Sequence, residues 1–286
     1  MRKLASLGLQ SILFAGPRFR RLRRSRCEKS TIIPGSKAAA SIVAAWTDIC
    51  HLAASASKRF CLDHLSLANV DALTLVRSAA SAGFAKVSLF VSPVSISPTP
   101  DVTRGGAELR EVQVVLRDEG LRLGIAEPCL LDSHPDWEAL KRRAALAAEL
   151  GGSVNILGMD NAPVRLRRSL ERMVEICREV GAGAIIEAYP LSAVPTVHDA
   201  LRHVEALRPD VGLCADTLHV IRGGGRWSDI AALPPQRIAH VQVSDGPLNP
   251  PADCLFEAVF DRHLPGSGSF GLHDLTVHSR IIQWLV

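Results

Sequence analysis

From about residue 60 onward, short apolar runs alternate with amphipathic stretches, and this alternation restricts the chain to few architectures. Residues 60–62, 86–91, 122–126, 154–157, 184–188, 212–216 and 238–243 read as seven strands. Between them, residues 70–82, 106–119, 136–150, 165–180, 196–207 and a short stretch at 227–233 read as helices, with Gly83, Gly120, Gly151 and Gly181 as stops. Strands separated by helices of this length form βαβ units, because each helix returns the chain so that the next strand runs parallel. Seven successive units exceed an ordinary doubly wound sheet. No Gly-x-Gly-x-x-Gly follows the first or second strand, so the pattern predicts a barrel rather than a dinucleotide-binding sheet.

A parallel barrel gathers the carboxyl ends of its strands at one mouth. Three late runs end in polar groups: Gly183–Glu187, Val211–Asp216 and Ile238–Asp245. Glu187, Asp216 and Gln242 are therefore expected to converge there, with His219 one loop turn beyond Asp216. Glu127, His64 and Asp245 are weaker candidates for the same rim. Each has a plain structural alternative. A strand-end Glu can pair with an arginine, and an Asp followed by an apolar run can cap a helix. Gly223-Gly224-Gly225 behind Arg222 would let backbone approach a ligand closely.

Charge and cysteine content narrow the function classes. Residues 1–30 hold nine Lys/Arg against Glu28 alone, a net +8 within a chain of +4, so residues 31–286 carry −4. A nucleic-acid surface needs basic residues spread over the folded body. Residues 1–57 are expected to form a basic, disordered leader and residues 58–286 a single domain. No run of about 18 apolar residues is present. Seven scattered cysteines without a Cys-x-x-Cys pair fit a reducing, cytoplasm-like setting.

Three ordered stretches carry a family likeness: Asp216-Thr217-Leu218-His219-Val220-Ile221-Arg222-Gly223-Gly224-Gly225, Val241-Gln242-Val243-Ser244-Asp245, and Arg262-His263-Leu264-Pro265-Gly266-Ser267-Gly268. From about residue 59 to its end, the chain resembles the xylose isomerase-like TIM barrels, which include sugar phosphate isomerases, epimerases and inosose dehydratases. The resemblance implies an α/β fold, a (β/α)8 TIM barrel, with a divalent metal (Mn, Mg, Co or Zn) at its mouth. In such enzymes a Glu, an Asp, a His and a second Glu hold the ion. Glu187 and Asp216 match the first two positions, and Gln242 stands where His is usual. Ser267 stands where relatives commonly carry Glu. The stretch 272–285 reads as the seventh helix, so an eighth strand is expected to be missing, leaving strands one and seven as open edges.

The implied activity is a metal-dependent isomerase, epimerase or dehydratase acting on a small sugar or polyol-derived ketone through an enediolate. Glu187 and His219 would move protons. Arg222, Arg262 and His240 would bind substrate, His240 lying deeper on the strand face that it shares with Gln242. A non-catalytic barrel that binds a polyol is the alternative. An endonuclease IV-like DNA repair enzyme is a third, which the −4 body and the small number of zinc-type ligands disfavour. The expected partner is a small sugar or polyol, without nucleic acid or membrane, and homo-oligomer formation is left open.

Overall fold

The structure, a computed structural model, describes residues 60–68, 70–93 and 100–278. The basic leader expected over residues 1–57, and the end of the helix expected over 272–285, lie outside the described residues. Seven parallel strands form one sheet in chain order: β1 Cys61–Leu62, β2 Lys86–Phe90, β3 Arg122–Leu131, β4 Ser153–Gly158, β5 Gly183–Glu187, β6 Gly212–Asp216 and β7 Ile238–Gln242. Each pairs with its neighbour in sequence, and the sheet curls into a TIM-type barrel that is incompletely closed. Among the described residues no backbone ladder joins β7 to β1. A side chain crosses that seam instead: Gln242 Nε2 donates to Asp63 Oδ2 at 2.9 Å.

The helices form where caps and apolar periodicity coincide. Helix α1 (Ala72–Ala82) starts at Asp71, whose carboxylate accepts from Thr74 N, and stops at Gly83, where φ of 81° suits a residue without Cβ. Next come α2 (Ala107–Asp118), α3 (Trp137–Glu149) and α4 (Pro163–Val180). Pro163 opens α4 two residues before the expected start, since its missing N–H is unneeded in a first turn. A Thr196–Asp199 capping box opens α5 (Val197–Ala206). Leu166, Leu170, Met173, Val174 and Cys177 place one buried stripe of α4 against the sheet. Full burial of side chains such as Leu170 and Met173 contributes about 1.5–3 kcal/mol each.

Three features depart from the sequence reading. Strand β3 runs five residues past its expected end, through Pro128, because a register shift between Ala126 and Cys129 absorbs the residue that cannot donate. A short helix α6 (Thr217–Arg222) follows β6 directly, and α7 (Trp227–Ala231) comes next. A further short helix α8 (Cys254–Phe260), capped by Asp253, lies in what read as loop, and α9 is Leu272–His278. Among the described residues, no helix is long and apolar enough to cross a membrane.

Alternation along the strands positions the site. Ile125, Ile185 and Cys214 form a small apolar cluster apart from the main core. Glu127, Glu187 and Asp216 follow them two residues later on the same strand faces, nearer the carboxyl ends. The barrel interior therefore changes from apolar to acidic within one pleat. Beyond β7, Asp245 accepts from the backbone N–H groups of Gly246, Gly266 and Phe270 and so shapes the Pro-Gly-Ser-Gly loop. A Cβ on Gly268 would collide with Asp245 and the Gly246 backbone, which explains the glycine there. His64 is likewise structural, since its ring nitrogens meet Val70 O and Phe90 N at 2.9 Å each.

Candidate functional site

Strand β5 delivers Glu187 and β6 delivers Asp216 to the mouth, and the first turn of α6 brings His219 back over both. Ligand-type atoms of Glu187, Asp216 and His219 all lie within 4.8 Å of one another, and all three residues are buried. His219 Nε2 is 3.5 Å from Glu187 Oε1 and 3.8 Å from Asp216 Oδ2. The two oxygens of Asp216 differ in use. Oδ1 caps α6 through Leu218 N at 2.8 Å and His219 N at 3.3 Å, so the capping alternative and the cluster coexist in one side chain. Oδ2 faces His219 and accepts from Arg262 Nη1 at 2.6 Å. Arg262 is further held by Ala258 O at 2.6 Å and Ser244 Oγ at 3.4 Å.

Gln242 pairs with Asp216 in register, as the strand-end pattern predicts. Its amide is turned away from the three-residue cluster, however. Nε2 donates to Asp63 Oδ2 and, at 3.2 Å, to Glu127 Oε1, while Oε1 lies 3.6 Å from Cys214 Sγ. The expected trio of Glu187, Asp216 and Gln242 is thus replaced, as a set of converging side chains, by Glu187, Asp216 and His219. His240 is half-buried one pleat deeper, paired with Cys214, and the structure does not bring it to the cluster.

Arg222, expected on substrate, is engaged elsewhere. Its guanidinium grips both carboxylate oxygens of buried Glu257, with Nε to Oε2 at 2.7 Å, and donates to Pro247 O and Leu248 O. Helix α6 ends at Arg222, which points the side chain toward α8, so the residue fastens the segment after β7 rather than lining the mouth.

Burial dominates the electrostatics of this rim. Burial, and then the neighbouring Asp216 charge, push the Glu187 carboxyl up to about 8, against the favourable influence of the Asn155 hydrogen bond and Arg262. Burial and the nearby Asp63 and Glu187 charges raise Glu127 well above the carboxylate range. Burial holds His219 down at about 4 even though Asp216 favours its protonated form. The ring is therefore neutral near pH 7, and its two carboxylate contacts are not ion pairs. For Asp216, burial favours the neutral acid, yet Arg262 outweighs it and keeps the group below its ordinary value.

Three contributors escaped the sequence reading. Asp63 follows β1 and accepts from Gln242. Asn155 on β4 is fully buried and donates to Glu187 Oε2 at 2.6 Å; its place inside the apolar run Val154–Leu157 was the available signal. Tyr189 sets its ring edge-on to His219 with centroids 4.7 Å apart, and nothing in its loop context marked it.

No curated protein matches the chain in sequence. Solved structures share the fold. One is a xylose isomerase-like TIM barrel/4-hydroxyphenylpyruvate dioxygenase fusion protein, at TM-score 0.63 and 21% identity over 77% of this chain, which spans only 36% of that longer one. Another is the IOLI protein with a bound zinc atom, at TM-score 0.59 and 16% identity, covering 76% of this chain and 83% of that one. A third is the probable 3-DHS dehydratase AsbF of Bacillus anthracis, involved in petrobactin synthesis, at TM-score 0.60 and 14% identity, covering 79% and 89%. The sequence itself matches the xylose isomerase-like TIM barrel family over residues 76–278, and with the seven-stranded curled sheet and its carboxylate-lined mouth this establishes that the chain belongs to that family.

Proposed function

We propose that the protein is an isomerase, epimerase or dehydratase of a small sugar or polyol-derived ketone, working with a divalent cation. The observation that carries this reading is the convergence within 4.8 Å of Glu187 and Asp216, at the ends of consecutive strands, with His219 from the first turn of α6. Two carboxylates and an imidazole suit hard to borderline divalent ions. Asp63, Glu127, Glu187 and Asp216 crowd one rim with Arg262 in direct contact with Asp216, and burial together with their mutual repulsion drives Glu187 and Glu127 toward the neutral acid, the response of carboxyls that lack a counter-cation. The donor set therefore fits a dication held by Glu187, Asp216 and His219.

Held by these residues, such an ion would supply Lewis acidity toward an enediolate oxygen and would favour the ionised form of Glu187. The chain's own groups do the rest. The Glu187 carboxylate takes the proton from the carbon next to the ketone. His219 would give the ion its Nε2, the nitrogen that faces both carboxylates, and keep Nδ1 as the ring nitrogen able to serve a neighbouring substrate oxygen. Arg262 offers its guanidinium to a substrate oxygen, and Asn155 fixes the Glu187 carboxylate plane. Returning the proton to the opposite face gives an epimer, returning it to the adjacent carbon gives an isomer, and losing a β-hydroxyl as water gives the dehydrated product.

The test is proton exchange. With Mn2+ present, ketoses and inosose-type ketones in D2O are followed by NMR for loss of the C–H signal next to the carbonyl. Exchange that disappears in Glu187→Gln supports the reading. Metal binding without exchange in any of these ketones leaves a binding protein instead.

A further inference from the structure

Arg262 stands against the one Asp216 oxygen that α6 leaves for a cation. Oδ1 is committed to the helix cap, whereas Oδ2 faces Glu187 and His219 and already accepts from Arg262 Nη1 at 2.6 Å. The guanidinium is not a loose surface group. Its Nε donates to Ala258 O, while Nη1, the nitrogen on Asp216, also reaches Ser244 Oγ; Ala258 belongs to α8, which the Arg222–Glu257 pair ties down. Its side chain is 13% exposed and that of Asp216 0%.

A buried carboxylate without a counter-charge is costly, and removing one partner of a buried pair is strongly destabilising. A dication and a guanidinium at the same oxygen repel one another. We infer that Arg262 is the built-in counter-cation of the mouth, occupying the Asp216 oxygen that a bound dication uses and thereby setting how tightly that ion is held. The inference rests on the metal reading proposed above and adds that Arg262 and the ion are alternatives at Asp216 Oδ2. Arg262 retains its Ala258 and Ser244 anchors when it yields Oδ2, which leaves its guanidinium close enough to meet a substrate oxygen.

The experiment is calorimetric titration of Mn2+ into the wild-type protein and Arg262→Met, with melting curves taken with and without the ion. Arg262→Met is expected to bind Mn2+ at least about tenfold more tightly than the wild type, from the loss of like-charge repulsion. It should melt lower than the wild type without the ion and recover when the ion is added. Arg262→Lys, which keeps the charge, should stay much nearer the wild-type affinity, and Asp216→Asn should lose binding. If Arg262→Met refolds only when Mn2+ is supplied, the interchange of the two cations is supported directly. Wild-type binding that is equal to or tighter than that of Arg262→Met overturns the inference and leaves the metal site standing. Absence of binding in every protein removes the metal site and the inference together. A variant that refolds neither with nor without Mn2+ also counts against it, because the ion then fails to replace the guanidinium.

Discussion

Arg222→Met separates a brace from a substrate ligand. The substitution keeps an apolar stem but removes every donor. Glu257, whose side chain is 1% exposed, then loses its bidentate partner, and the carbonyls of Pro247 and Leu248 lose theirs. Breaking one side of a buried pair costs about 3–5 kcal/mol, since a charge is left buried without compensation. At about 2–4 °C per kcal/mol for a chain of this size, the melting temperature should fall by roughly 6–20 °C. Urea unfolding of Arg222→Met, Glu257→Leu and the double variant forms a cycle. The double variant should regain most of the loss, with a coupling of about 2 kcal/mol or more, because it buries no unpaired charge. An Arg222→Met protein within about 1 kcal/mol of the wild type, together with additive single effects, would refute the brace and return Arg222 to the mouth.

Glu187→Gln should abolish proton exchange while shifting the cation-free melting temperature little, because burial already holds the carboxyl up at about 8 and the amide is nearly isosteric with the neutral acid; a large melting shift would show that the charged form matters to the fold. Burial works to raise the pKa of Asp245, but hydrogen bonds from Phe270, Gly246, Gly268 and Gly266 prevail and depress it. A depressed carboxylate stabilises the fold above its unfolded pKa and loses that contribution as pH falls through its folded pKa. Asp245→Asn should therefore be destabilised near neutral pH and converge on the wild type in strong acid, as read from urea midpoints; a gap that does not narrow with acid would contradict the backbone account. Burial pushes the Cys129 and Cys177 thiols up to about 12, so peptide mapping after treatment with a thiol reagent should find both unlabelled in the native protein and labelled in urea.

The alternation of strands and helices was legible because each βα unit writes its own punctuation locally. Gly83 and Gly181 end helices in the left-handed region, and Asp71 and Asp136 begin them, all within a few residues of the elements they bound. Strand ends also delivered Glu187 and Asp216 correctly to one rim, since alternation fixes which residues face inward. Side-chain partnership was not legible. Arg262 meets Asp216 across 46 residues and Arg222 meets Glu257 across 35, distances at which sequence spacing carries no geometric information. Short helices were missed for a related reason: α6 and α8 are too short to show periodicity, and their caps, Asp216 and Asp253, are residue types that also suit ligands and loops. The Gln242 amide turned toward Asp63, which lies across the seam, and toward Glu127 on β3, a neighbourhood created only when the sheet curls.

The consecutive strand order has a consequence for how the chain reaches its native state. Every ladder joins a strand to the next one in sequence, so each pairing closes a loop no longer than one helical crossover. The Gln242–Asp63 bond is of another kind, spanning 179 residues. Loop-closure entropy favours the near-neighbour pairings first and delays the distant one. A nascent chain can thus add one βα unit after another as it emerges from the ribosome, each stacking on its predecessor. Pairing of β5 with β6 already brings Glu187 and Asp216 to neighbouring strand ends, and the Asp63–Gln242 contact across the seam forms last.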